Sequence, residues 1–175
     1  MRLRLQCERG FGLVELLIAM VMLNVGILAI VAAFNSGMFA LKRASRISTA
    51  TALADKQMEV YRDLPYASIA LDSATIPTGA PYTTDSAYSA TQVTTTCGTP
   101  SDECTASRTV TNTQSPDHKS YRVDTYIVLT TSTTTPPTPP NGRPLKIVTV
   151  VVRDGFNLNA RPLVREASTF DASTG

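Results

Sequence analysis

The feature that most constrains this chain is the stretch from Gly10 to Leu41, GFGLVELLIAMVMLNVGILAIVAAFNSGMFAL. Its only charge is Glu15, and from Leu16 to Leu41 there is no Asp, Glu, Lys or Arg. That is longer than the ~20 apolar residues needed to cross a ~30 Å hydrocarbon core. Before it lies a basic head, MRLRLQCERG, with Arg2, Arg4 and Arg9 against Glu8. A basic flank on the first apolar segment predicts a cytoplasmic N-terminus and an exported remainder.

Glu15 is the residue to explain. A charge at the bilayer centre costs at least ~2.5–3.5 kcal/mol, so an ionisable residue inside such a span is a functional candidate. Glu15 sits only about 6 Å inside Phe11 at 1.5 Å per residue, shallow enough to be tolerated. The macrodipole favours a carboxylate near a helix N-terminus by ~0.3–1 kcal/mol.

The order basic leader, Gly10, Phe11, then Glu15 within an apolar helix (GFGLVELLIA) resembles the class III signal of type IV prepilins. The resemblance implies that prepilin peptidase cuts between Gly10 and Phe11 and N-methylates Phe11. It implies that the Glu15 carboxylate pairs with the terminal amine of a neighbouring subunit during assembly. Gly12 stands where the commoner signal has Thr, which leaves the cut site and the carboxylate intact. Many major pilins carry a proline partway down the helix; here none occurs between Phe11 and Leu64, and Asn24 and Gly26 are the only weak points.

Other N-termini fit less well. A secretory signal wants an apolar core of ~7–15 residues and a small-residue cleavage site. Val31-Ala32-Ala33 offers a site, but Glu15 then interrupts the core without reason. A plain signal anchor leaves the Gly-Phe and Glu15 spacing as coincidence. A lipoprotein is excluded because Cys7 precedes the apolar run.

With 175 residues the chain suits one domain plus an anchor. Loss of a leader 1–10 removes three Arg and one Glu from 16 basic and 14 acidic residues, leaving 13 of each. No clustered basic face is evident, so no nucleic-acid partner is predicted. Cys7 leaves with the leader, and the remaining pair, Cys97 and Cys104, reads in an exported domain as a disulfide.

The apolar run continues into LKRASRISTATALADKQMEVYRDL. Ile47, Thr51, Ala54, Met58 and Tyr61 recur at helical spacing, and Ala50, Leu53, Gln57, Val60 and Leu64 widen the stripe, so residues 42–65 read as an amphipathic helix half. Pro65 ends it. One helix over about 12–64, with 11–41 as the transmembrane or filament-core half, matches the pilin design. The segment ADKQMEVYRDLPY also resembles the helix end of PilV-type minor pilins and of some type II secretion minor pseudopilins.

Residues 66–175 read as a β-rich head. Residues 66–120, rich in Thr, Ser, Gly and Pro, predict loops with short strands at Gln92–Thr96 and Ser107–Thr113 around the loop 97–104. Tyr121–Thr131 alternates and Leu145–Arg153 is rich in β-branched residues, so both are strands. Leu163–Phe170 offers a last one. Between the first two lies a Pro-rich loop, 132–144. The expected fold is therefore α+β and pilin-like, a long helix whose C-terminal half packs on a small antiparallel sheet. The second face of that sheet is expected to be partly solvated.

No enzymatic activity is expected. His118 lies alone in a polar loop, and there is no nucleophile elbow, phosphate-binding glycine loop, HExxH or repeated CxxC. Asp102 and Glu103 beside the two Cys lack the further ligands zinc requires, so no metal or cofactor is predicted. Arg153-Asp154 and Arg165-Glu166 read as surface charges. The resemblance implies a minor structural subunit of a type IV pilus or a type II secretion pseudopilus. Its partners would be prepilin peptidase, other pilins or pseudopilins, an inner-membrane assembly platform and the membrane. Its location would be the bacterial inner membrane and then the filament. The alternative is an anchored, exported binding module that never polymerises.

Overall fold

The computed structural model of the chain describes residues 12–98, 101–131 and 144–172. The expected leader 1–10, Phe11 and residues 132–143 of the expected Pro-rich loop lie outside the described residues, as do 99–100 of the loop 97–104. The chain divides into two compact units, Met1–Arg43 and Ala44–Gly175.

Helix α1 runs over Leu13–Arg62, 50 residues without a break. Asn24 and Gly26 do not interrupt it, and the Asn24 side-chain amide donates to the Met20 carbonyl at 3.0 Å. The helix stops two residues short of the expected Leu64. The residue before a proline avoids the α region, and Leu64 N–H instead donates to Tyr61 O at 3.4 Å.

In the second unit the buried face of α1 is Thr49, Ala50, Ala54, Gln57, Met58 and Tyr61. Ile47 and Thr51, expected on that stripe, are exposed. Full burial of side chains such as Met58 contributes about 1.5–3 kcal/mol each.

The sheet is a four-stranded antiparallel meander, in the order β3 (Ser107–Val110), β4 (Tyr121–Thr131), β5 (Pro144–Asp154), β6 (Val164–Asp171). Strand β3 ends at Val110 instead of Thr113, since Thr111 N–H turns to the Gln114 amide oxygen at 3.0 Å. Pro144, assigned from sequence to the loop, opens β5 opposite Thr131. A first residue needs no ladder N–H, so proline is admissible there. The α+β fold is as expected.

The segment between helix and sheet carries more of the core than its composition suggests. A two-residue parallel pair, β1 (Leu71–Asp72) with β2 (Thr94–Thr95), fastens it. Further backbone bonds tie Leu71 N to Val93 O at 2.9 Å, Val93 N to Ile127 O at 2.8 Å and Thr125 N to Ala106 O at 2.8 Å. Ile69, Leu71, Tyr82 and Ala106 are buried in consequence.

Both faces of β4 and β5 are therefore covered in their middle. Ion pairs from Arg46 to Asp154 and from Arg62 to Glu166 mark the face toward the helix. By strand alternation Val148, Val150 and Val152 share it. The opposite face carries Asp124, Tyr126, Val151 and Arg153, all buried. The expectation of a partly solvated second face fails at these positions, because Tyr82 and Asp85 close over them.

Candidate functional site

In the first unit, Gly12 O accepts the first helical bonds, from Glu15 N at 2.9 Å and Leu16 N at 3.2 Å. Glu15 thus stands in the first turn of α1, exposed, where the unpaired N–H groups of the helix start make a carboxylate favourable. Gly10 and Phe11, the residues of the expected cleavage and methylation, lie outside the described residues.

From Leu13 to Leu41 every residue is exposed. The most apolar 18-residue window of α1 reaches a mean hydropathy of 2.7 with none of it buried. A helix apolar all round demands an apolar surrounding, either lipid or other helices. A Cβ added at Gly26 or Gly37 would meet nothing within 4 Å. Together with Ala19, Ala29, Ala32 and Ala33, these positions present a surface of small residues that allows a neighbouring helix close approach.

Among its described residues the second unit holds three side-chain clusters of note. The first is the set of buried charges on the sheet face away from the helix. Arg153 donates to Asp85 Oδ2, Arg165 donates to Asp85 Oδ1 at 2.7 Å, and Ala87 N–H donates to the same oxygen at 2.9 Å. Asp124 Oδ1 accepts from Arg122 Nε at 2.8 Å and from Ser107 Oγ at 2.6 Å. Burial pushes the Asp85 carboxyl up, but the Ala87 N–H, Arg165 and Arg153 outweigh it and hold it below its usual range. Tyr82 stacks on Tyr126 beside this cluster, with ring centroids 4.4 Å apart, and donates to Thr125 O at 2.7 Å.

Sequence reading missed this cluster and placed Arg153 on the surface. Its signal was a charge in the middle of an alternating strand (Asp124) and another closing a run of valines (Arg153). A buried charge there requires a partner. Arg165 is the more exposed member, and Glu166 points to the other face, near Arg62 at 3.6 Å.

The second cluster surrounds Lys146. Its ammonium is buried and donates to Tyr66 O at 2.6 Å and Ile69 O at 2.8 Å, 4.5 Å above the Tyr66 ring. Burial lowers its pKa. Lys146 holds the chain that leaves the helix down against β5.

The third is the Cys97–Cys104 disulfide, present as expected. Gln57 Nε2 donates to Asp102 O at 2.7 Å, and Asp72 N donates to Cys104 O at 2.7 Å. A cavity of about 420 Å³ lies beside it, lined by Leu64, Ser68, Thr95, Cys97 and Glu103 among others. The Asp102 carboxylate is engaged by Arg108 at 2.8 Å. No group of three or more His, Cys, Asp or Glu among the described residues is arranged to hold a metal ion. His118 stands exposed in its loop with φ 54°.

Over residues 5–33 the sequence matches the prokaryotic N-terminal methylation motif. Searches of curated proteins and of solved structures return no match. The motif, continuous with an exposed apolar helix, makes the chain type IV prepilin-like. It implies processing by prepilin peptidase, assembly with other pilins and anchoring in a membrane.

Proposed function

We propose that the protein is a minor structural subunit of a type IV pilus or a type II secretion pseudopilus, assembled through its N-terminal helix. The observation that carries this reading is the methylation motif at 5–33, which overlaps the start of an apolar helix that has no partner among the described residues. In this reading residues 1–10 are the leader, 11–41 the membrane or filament-core half, 42–65 the helix half that carries the head, and 66–175 the head.

Prepilin peptidase then cuts between Gly10 and Phe11 and methylates Phe11. The subunit waits in the bacterial inner membrane with its head exported until the assembly platform extracts it. In the filament the apolar helices exchange lipid contacts for one another. Glu15 pairs with the Phe11 amine of a neighbour and sets axial register, replacing two unpaired buried charges by one pair. The minor role rests on the helix-end segment ADKQMEVYRDLPY.

The test is intact-mass and N-terminal peptide analysis of protein from membrane and sheared-filament fractions. A mature chain beginning at methylated Phe11 in the sheared fraction supports a filament subunit. The same chain found solely in membranes supports the alternative, an anchored module that does not polymerise. A chain beginning at Met1 overturns prepilin processing.

A further inference from the structure

The second unit leaves three large apolar side chains exposed among its described residues: Phe156 at 80%, Leu129 at 52% and Ile47 at 39%. Two of the three lie at one end. Ile47 is in the first helical turn of this unit, three residues after Ala44, where the chain enters it. The neighbouring Arg46 binds Asp154, the last residue of β5, and Asp154 Oδ1 in turn accepts from Phe156 N–H at 3.1 Å. Phe156, on the turn from β5 to β6, therefore stands at the end where the chain arrives from its apolar stretch. Leu129 is remote from it, paired across the sheet with Lys146 near the other end of β5.

The charges at this end are also predominantly positive. Gly155 N donates to Ser120 O at 2.9 Å, which sets the loop carrying His118 and Lys119 beside the β5–β6 turn. Ala160 N donates to Asn157 O at 3.1 Å, and Arg161 follows on the same turn, exposed like Lys119. Of the acids nearby, Asp154 is paired with Arg46, while Asp117 accepts from the neutral Tyr121 hydroxyl and keeps its charge. Lys119 and Arg161 outnumber that one carboxylate and leave the end net positive beside the exposed Phe156 ring.

We propose that this end of the head rests on an anionic phospholipid surface. Phe156 lies at the boundary of headgroups and acyl chains, and Lys119 and Arg161 face lipid phosphates. The occupant follows from position and charge: Leu41 closes the apolar run three residues before Ala44, so a membrane holding that run brings its surface to this end. A ring flanked by cations suits an anionic interface. The proposal rests on the membrane-anchoring reading of residues 13–41. It adds a resting position for the head that extraction into a filament must break.

The chain has no Trp, so a single Trp reports from one place. Full-length Phe156→Trp, Phe34→Trp and Leu129→Trp proteins are placed in vesicles of phosphatidylcholine with phosphatidylglycerol, with and without bromine on the acyl chains. The expected result is blue-shifted emission at position 156 that loses more than half its intensity on brominated lipid. Position 34 should be quenched as well and position 129 should not. Adding Lys119→Glu and Arg161→Glu to Phe156→Trp should abolish the shift while thermal melting is unchanged.

Quenching at 34 with position 156 behaving like 129 overturns the proposal and leaves the anchor standing. No quenching at 34 overturns the anchor and the proposal with it. Equal quenching at 156 on pure phosphatidylcholine overturns the role given to Lys119 and Arg161.

Discussion

The Arg153 guanidinium meets the Asp85 carboxylate on the sheet face turned away from the helix, and both side chains are almost wholly withdrawn from solvent. Asp85 belongs to the turn-rich segment and Arg153 to the end of β5, so the pair fastens an irregular region to a regular one. Removing one partner of a buried pair leaves an uncompensated charge, at a cost of about 3–5 kcal/mol. Asp85→Ala strands Arg153 and Arg165 together. It should lower the stability of the head by that amount, measured by urea denaturation of the full chain in detergent. A loss below about 1 kcal/mol would mean that Asp124, 3.5 Å from Arg153 Nε, suffices to hold it.

The same carboxylate predicts an acid limit. Its folded pKa lies below the 3.8 of a free Asp, so it contributes stability above that value and loses it as pH falls through the folded one. The stability difference between wild type and Asp85→Asn should be flat from neutral pH down to about pH 5 and shrink below pH 4. Melting temperatures of both proteins across that range provide the check. A difference that shrinks instead on raising the pH from 5 to 8 would place the responsible group elsewhere.

Gly155 tests a steric claim. A Cβ there would lie 2.8 Å from the carbonyl carbon and oxygen and the Cβ of Ser120. Backbone atoms cannot move aside cheaply, so Gly155→Ala should destabilise the head by about 1–3 kcal/mol. Gly79→Ala, where a Cβ meets nothing within 4 Å, is the control and should stay within about 0.5 kcal/mol. Equal effects at the two positions would remove the close approach as the cause.

The long helix and strands β4 to β6 could be read in advance because each carries its own period. α1 combines an unbroken apolar run with a three-and-four stripe, and β5 is dense in β-branched residues. Residues 66–106 could not be read in this way. Ile69-Ala70-Leu71 is too short a run to show a period and Tyr82 stands among Pro and Thr, and they are met by partners distant in sequence, Val93, Tyr126 and Lys146. Arg153 was misplaced for the same reason, since its partner Asp85 sits 68 residues away. The methylation motif at 5–33 needed no fold to be recognised, because it is a local stretch of sequence.

Cys97 and Cys104 allow a covalent and a noncovalent fastening of the same loop to be weighed against each other. The bond spans seven positions, and closing so short a loop contributes about 2.5 kcal/mol by restricting the unfolded chain. The folded loop is held independently by Gln57 on Asp102 O and by Asp72 N–H on Cys104 O, each at 2.7 Å. Cys97→Ser/Cys104→Ser should therefore keep the native fold and lose up to about 2.5 kcal/mol in urea midpoint experiments. Adding Gln57→Ala should cost about 1–2 kcal/mol more by removing the helix-to-loop bond. Amide exchange should then rise first around Asp72 and Cys104, ahead of β4 and β5. Simultaneous loss of protection in those strands would show that the loop and the sheet open as one unit.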